Sequence, residues 1–333
     1  MNSRERICTI IAGEAADRCG FWLGNPHPDS WEGLHRYFGT ETEEELRLLL
    51  GDDYRWIRPT AYEHPDGLKC FHIPGRVSHG SEGPFAHATD PAELDDYDWP
   101  RLEYVDFAQV LGELRGAGDY YRASGFWTPF YHNVMGLFGM EQYLINMYVN
   151  PKLVHAVTDR VCEFYYEGNE ILYGLAGDEP DGFFFGNDFG TQLDLICGPA
   201  QFDEFIMPWF RRFTEQAHRW GHQVILHSCG SIYKVIDRLI DAGVDCLHPL
   251  QAKAANMDAD TLAREFKGRI AFMGGIDTQD LLVHGTPEEI AADVRRVKAL
   301  LNPGLIVSPS HEALLPNVPP ENVRAMAEAA LET

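Results

Sequence analysis

Residues 222–251, HQVILHSCGSIYKVIDRLIDAGVDCLHPLQ, decide the fold. HQVILHSCG is a short branched apolar run that ends in polar residues, as a buried strand does. SIYKVIDRLIDAG carries apolar residues at helical spacing and closes on Gly243. VDCLHPLQ is a second short apolar run. A strand, a helix and a strand in succession, with no room for a hairpin, predict two parallel strands joined by a covering helix.

The same rhythm extends in both directions. Ahead of it lie GFFFGND (182–188) and the helical PAQFDEFIMPWFRRFTEQAHRWG (199–221). Behind it follow DADTLAREFKG (258–268), RIAFMGGID (269–277), TPEEIAADVRRVKALLN (286–302), GLIVSPSH (304–311) and PPENVRAMAEAALE (319–332). An open doubly wound sheet usually shows a glycine-rich phosphate loop after its first strand. No G-x-G-x-x-G or Walker pattern occurs, so the expected closure is a (β/α)8 TIM barrel.

Residues 1 to about 120 are less regular, and we expect a helical start followed by an inserted hairpin or loop region. TDPAELDDYDWP (89–100) predicts a short capped helix, and YYRASGFWTPFYHNVMGLFG (120–139) a strand followed by an aromatic-lined loop. No linker or low-complexity segment divides the chain, so residues 1–333 are expected to form one barrel domain with an amino-terminal elaboration.

With 51 acidic against 27 basic side chains, the formal charge of −24 opposes nucleic acid and anionic lipid as partners. The amino terminus lacks the apolar core of a secretory signal, and no stretch is long and uncharged enough to span a membrane. The expected location is cytoplasmic. Seven scattered cysteines do not suggest a disulfide framework, which leaves thiols available for metal binding or catalysis.

Positions i and i+2 of a strand share a face, so His227 and Cys229 project together where their strand ends. Barrel enzymes keep their sites at those carboxyl ends. Imidazole and thiolate are preferred zinc ligands, and a catalytic zinc usually has three protein ligands and an open position. His311, at the end of GLIVSPSH, is the third candidate. Cys246 and His248 form a weaker pair, reversed in order and followed by Pro249. Glu141 and Glu167 are further acidic candidates that spacing does not place.

Asp188 and Gln192 in GNDFGTQ sit at another strand end. A carboxylate there either accepts a proton, holds a bound water or substrate hydroxyl, or simply caps the next helix. Asp277 and Gln279 pose the same choice, with Gly274 and Gly275 allowing a cofactor close to the backbone. His132 is either a pocket acid or base or a loop histidine. Phe126, Trp127, Phe130, Tyr131 and Phe138, with Phe183, Phe184 and Phe185, either wall a flat apolar ligand or fill core.

These stretches resemble the uroporphyrinogen decarboxylase superfamily, and within it the zinc-dependent, corrinoid-linked methyltransferases. The resemblance starts at SRERICTIIAGEAADR (3–18), strengthens at GNDFGTQ, and is most specific in HSCGSI, LIDAGVDCLHPLQ, FMGGIDTQ and SPSHEALLPNVPPENV. It implies a barrel whose zinc, where present, is held by the histidine and cysteine of H-x-C, matching His227 and Cys229. A further ligand comes from the motif ahead of PPEN, usually a cysteine in thiol-methylating members; His311 stands there instead. The exchange makes this chain more similar to the branch that removes methyl groups from methoxylated compounds, the O-demethylase type.

The resemblance therefore implies an enzyme that moves methyl from a small methylated substrate to the cobalt of a corrinoid on a partner protein. Two alternatives stay open: a metal-free decarboxylase, and a non-catalytic barrel that binds corrinoid or a methylated metabolite. True uroporphyrinogen decarboxylases carry an arginine-rich amino-terminal segment, and CGFWLGNPHPDSWEGLH (19–35) lacks its arginine pair.

Overall fold

The computed structural model describes residues 1–78 and 80–333. Eight strands form one all-parallel sheet: β1 (Gly20–Phe21), β2 (Tyr54–Trp56), β3 (Tyr121–Ser124), β4 (Gly182–Gly186), β5 (Gln223–His227), β6 (Cys246–Leu250), β7 (Ala271–Ile276) and β8 (Leu305–Pro309). Neighbours follow chain order from β2 to β8, and β1 pairs with β8, Gly20 opposite Ile306. This is the (β/α)8 order expected from the sequence.

Strand residues alternate between two cores. Tyr54, Tyr121, Phe184, Ile225, Cys246 and Ile306 fill the barrel interior. Phe183, Phe185, Val224, Leu226 and Phe272 face the surrounding helices. Both faces are buried, which is why these strands read as nearly continuous apolar runs rather than as alternating ones.

The helix Ser3–Ile11 closes the amino end of the barrel. Asn2 and Glu5 cap it reciprocally, and Ile7, Ile10 and Ile11 join the interior cluster. Each such isoleucine contributes roughly 1.5–3 kcal/mol by leaving water. Gln223 Nε2 donates to the Cys8 carbonyl at 3.0 Å, and Arg4 pairs with Asp181 at 2.6 Å, fixing the plug to β5 and to the approach to β4.

Closure between β1 and β2 relies on side chains as well as backbone. The Asp53 amide donates to the Phe21 carbonyl at 2.9 Å, while the Asp53 and Asp52 carboxylates accept from the amides of Phe21 and Leu23, each at 3.1 Å. Arg6 and Arg18 each reach Asp53 at 2.7 Å, and Arg47 reaches Asp52 at 2.6 Å. The seam is a buried ionic network in which each carboxylate meets both amides and guanidinium groups.

Several expectations need correction. The first 120 residues supply the plug and two barrel strands rather than only an elaboration, and no hairpin forms among the described residues; Tyr62 and Val105 make a single antiparallel bridge. Residues Phe130–Phe138 are helical, not loop. The capped segment at 90–96 is a 3-10 helix from Pro91 to Asp96. The helix after β4 widens into one π turn at Phe202–Ile206, just before Pro208, whose missing N–H cannot continue an α-helical ladder. Among the described residues, no helix is long and apolar enough to cross a membrane.

Candidate metal centre at the barrel mouth

The last residue of β5 is His227, flanked by Gly186 of β4 and His248 of β6. Its side chain points inward with Ile225, as the strand period requires. The chain then turns sharply. Gly230 has φ +83°, and a Cβ there would lie 2.4 Å from the backbone of Gly190, so the loops after β4 and β5 touch at a point open only to glycine. Neighbouring loops hold the amides of this turn: Cys229 N–H donates to Asp188 Oδ1 at 2.8 Å, Gly230 N–H to Gln251 Oε1 at 2.6 Å, and Ser231 N–H to the Thr191 carbonyl at 2.7 Å. This fixes Cys229 Sγ 3.4 Å from His227 Nε2.

His311 and Glu312 arrive from the loop after β8. The Glu312 carbonyl accepts from Asn25 N–H at 2.6 Å, and Gly24 lies so close that a Cβ would stand 2.4 Å from that oxygen. The clamp turns the Glu312 carboxylate toward the mouth. Its Oε2 lies 3.5 Å from His311 Nδ1 and 3.6 Å from His227 Nδ1, buried and without a hydrogen bond. A buried carboxylate oxygen in that state is costly unless a cation meets it.

Among the described residues, two groups of three side chains lie close enough to share an ion: Asp188, His227 and Cys229, and Cys229, His311 and Glu312. Cys229 belongs to both. The rings of His227 and His311 stand 6.5 Å apart on either side of it. A thiolate with imidazoles and carboxylates is a donor set for a borderline-soft divalent ion such as zinc.

The electrostatics agree with that donor set. Burial would lower the His227 pKa, but Asp188, Cys229 and Glu312 together raise it well above its ordinary value. Burial would raise the Asp188 carboxyl, yet His227 and the Cys229 amide hold it well below the usual carboxylate range. Cys229 and Glu312 raise His311. The field at this point favours positive charge, which a dication would also experience. His248 differs: burial and the neighbouring histidines push its pKa well down, and its Nδ1 lies 3.0 Å from His227 Nδ1. As a neutral acceptor it directs the other ring nitrogen of His227 toward Cys229.

Of the residues predicted from sequence, Asp188 and His227 meet Cys229 on one side and His311 meets it on the other, while His227 and His311 fall in no common group among the described residues. His132, on the helix after β3, joins them with Nε2 3.8 Å from Asp188 Oδ2. Gln192 sits one shell out, donating to Gln251, which in turn holds Gly230. Glu141 and Glu167 lie exposed on outer helices.

Asp277 accepts from the amides of Gln279, Asp280 and Leu281, so its carboxylate shapes a turn. A Cβ on Gly274 would meet the Leu250 amide at 2.6 Å, and one on Gly275 would lie 3.3 Å from Val297. The Leu250 backbone closes off Gly274, whereas Gly275 and Asp277 line a small cavity with Lys253 and Asp280.

The aromatic residues divide. Phe126, Phe130, Tyr131 and Phe138 pack in the helical layer, whereas Phe184 and Trp127 reach the interior, with the Trp127 ring 5.1 Å from that of His227. Glu312 went unrecognised in the sequence, although it directly follows His311.

Three comparisons with known proteins bear on this arrangement. The family model for uroporphyrinogen decarboxylase (URO-D) matches residues 123–333. A methylated-thiol–coenzyme M methyltransferase of Methanosarcina mazei is 25% identical over 191 residues, covering 55% of this chain and 46% of that protein, so the chain spans about half of that relative's length. A solved structure of a methyltransferase from Methanosarcina mazei shares the fold, with a TM-score of 0.70 over 99% of this chain and 98% of the other at 17% identity.

Proposed function

The chain belongs to the uroporphyrinogen decarboxylase family, and from that premise we propose that it is a zinc-dependent methyltransferase, passing methyl from a methoxylated, aromatic substrate to the cobalt of a corrinoid carried by a partner protein. The observation that carries this reading is the convergence on Cys229 of His227, His311 and the unsatisfied Glu312 oxygen. The name of the methanogen relative supports methyl transfer over decarboxylation. His311, in place of a second thiolate, supports an oxygen-bound methyl donor.

Zinc would be held by Cys229, His311 and Glu312, with His227 and Asp188 meeting the same sulfur from the other group, and when bound it supplies a Lewis acid for the heteroatom that loses its methyl. In the transfer, the carbon–oxygen bond breaks with its electron pair remaining on oxygen. The carbon is taken by the nucleophilic, reduced cobalt of the partner. The protein's own contribution is alignment and charge placement. Asp188 holds the Cys229 amide and His227 in register. His132, next to Asp188, can hand a proton to the departing oxygen. Trp127 covers His227 and keeps water from that side of the site. Gln192 and Gln251 brace the loop that presents the thiol.

The test is metal analysis of purified protein together with methyl transfer from methoxybenzoates and methoxyphenols to free or protein-bound cob(I)alamin. We expect about one zinc per chain, and a loss of transfer of at least about 100-fold in Cys229→Ser, comparable with losing a major catalytic group. Zinc-free protein, together with a Cys229→Ser variant as active as wild type, would remove the reading. Release of carbon dioxide without any corrinoid would replace it with the decarboxylase alternative.

A further inference from the structure

Arginine 58 lies two residues past the end of β2. The Ile57 amide still donates to the Ala123 carbonyl at 2.9 Å, so the strand continues this far and Arg58 falls on the inward face with Tyr54 and Trp56. Its guanidinium sits 4.5 Å over the Trp56 ring and is partly buried. Among the described residues it has no hydrogen-bond or ion-pair partner. Burial holds its pKa below the ordinary arginine value, with no neighbouring acid raising it.

That state is unusual in this chain. The buried arginines 6, 47, 55 and 122 all reach carboxylates. The chain carries 51 acidic side chains, yet among the described residues none is paired with this partly desolvated guanidinium. A partly buried guanidinium lying over an indole, with no carboxylate beside it among the described residues, is suited to an incoming anion. The Trp56 Nε1–H, on the same three-residue stretch, is a buried donor without a partner among the described residues.

The position leads to the metal centre. The Trp56 ring lies 4.9 Å from Trp127, and Trp127 lies 5.1 Å from His227. The two indoles are tilted by 56°, so a flat molecule held against one meets the other at an angle, with one end at the guanidinium and the other toward His227. We infer that Arg58 is the anion-binding group of the substrate pocket, and that the methyl donor is an aromatic carboxylate whose ring lies against Trp56 and Trp127. The inference rests on the methyltransferase reading for the word donor, but not for the binding itself. Arginine suits a carboxylate because its planar fork offers two parallel N–H groups.

The test uses the product-like probe 4-hydroxybenzoate and its neutral isostere 4-hydroxybenzamide, with binding to the full chain followed by calorimetry or tryptophan fluorescence in the absence of corrinoid. Wild type should bind the carboxylate at least about tenfold more tightly than the amide. Arg58→Met, which keeps the apolar stem, should weaken the carboxylate by about 10- to 100-fold and leave the amide within about twofold. Arg58→Lys should recover part of the loss. Equal binding of the two probes by wild type, or an equal loss of both in Arg58→Met, would overturn the inference. Carboxylate selectivity that depends on Arg58 in a protein that transfers no methyl would support it, while removing the reading of the previous section.

Discussion

Two sets of acidic side chains sit at strand ends of the same barrel and are treated in opposite ways. At the β1/β2 seam, Asp52 and Asp53 are fully buried, and arginines and backbone amides surround them. At the mouth, Asp188 and Glu312 are only half-buried and meet imidazoles, a thiol and one amide, and one Glu312 oxygen has no donor among the described residues. Carboxylates placed to hold a fold arrive with their counter-charges supplied by the chain. Those placed for chemistry leave a gap that a cation fills. The number of acidic groups is the same in both places; the number of guanidinium groups is not.

The contrast breaks most easily at the seam. Asp53→Asn should cost roughly 3–5 kcal/mol of stability, because two guanidinium groups lose their charge partner in the interior. Urea unfolding would measure it, and zinc content per folded molecule should not change. A fold as stable as wild type would mean that the seam is closed by packing alone.

Glu312→Gln should act the other way round. Zinc affinity, read by competition with a chelator, should fall by about 10- to 100-fold, as for loss of a supporting ligand. The stability of the metal-free protein should hold or rise slightly, because a buried acceptor without a donor has been neutralised. An unaltered zinc affinity would place Glu312 outside the centre.

The smallest effect sharpens the comparison along one strand. His222 immediately precedes β5 and His227 ends it. Burial against Tyr173 pushes the His222 pKa down to about 4, from an ordinary 6.5. The unfolded chain therefore takes up this proton first as the pH falls. The stabilising effect is whole above about pH 6.5 and is lost progressively toward pH 4. Between pH 7 and pH 5, wild type should lose roughly 1–2 kcal/mol more stability than His222→Gln. Parallel losses in the two proteins would show that burial does not hold this imidazole neutral.

The parts of the fold that were legible are those where a buried strand is long enough to show its composition. β4 to β8 have five or six residues each and were all located from apolar runs. β1 and β2 have two and three, too short for any period to show, and their closure is carried by Asp52 and Asp53, whose role depends on arginines distant in sequence. At the site, His227 and Cys229 were legible because a two-residue spacing at a strand end has one geometric meaning. Glu312 was not. Whether the residue after His311 turns inward depends on how Gly24 and Asn25 grip its carbonyl, and no local pattern records that. Nor does the sequence record that the space beside Gly274 is taken by the backbone of the preceding strand, while Gly275 borders a small cavity.

The pairing of Gly20 with Ile306 has a consequence for how the chain is made. β1 can find its neighbour on that side only after residue 306 has left the ribosome. The plug helix must likewise wait, because β7 and β8 complete the floor it seals. Until then its isoleucines are exposed, and late-forming, long-range pairings of this kind slow folding and leave the nascent chain open to aggregation.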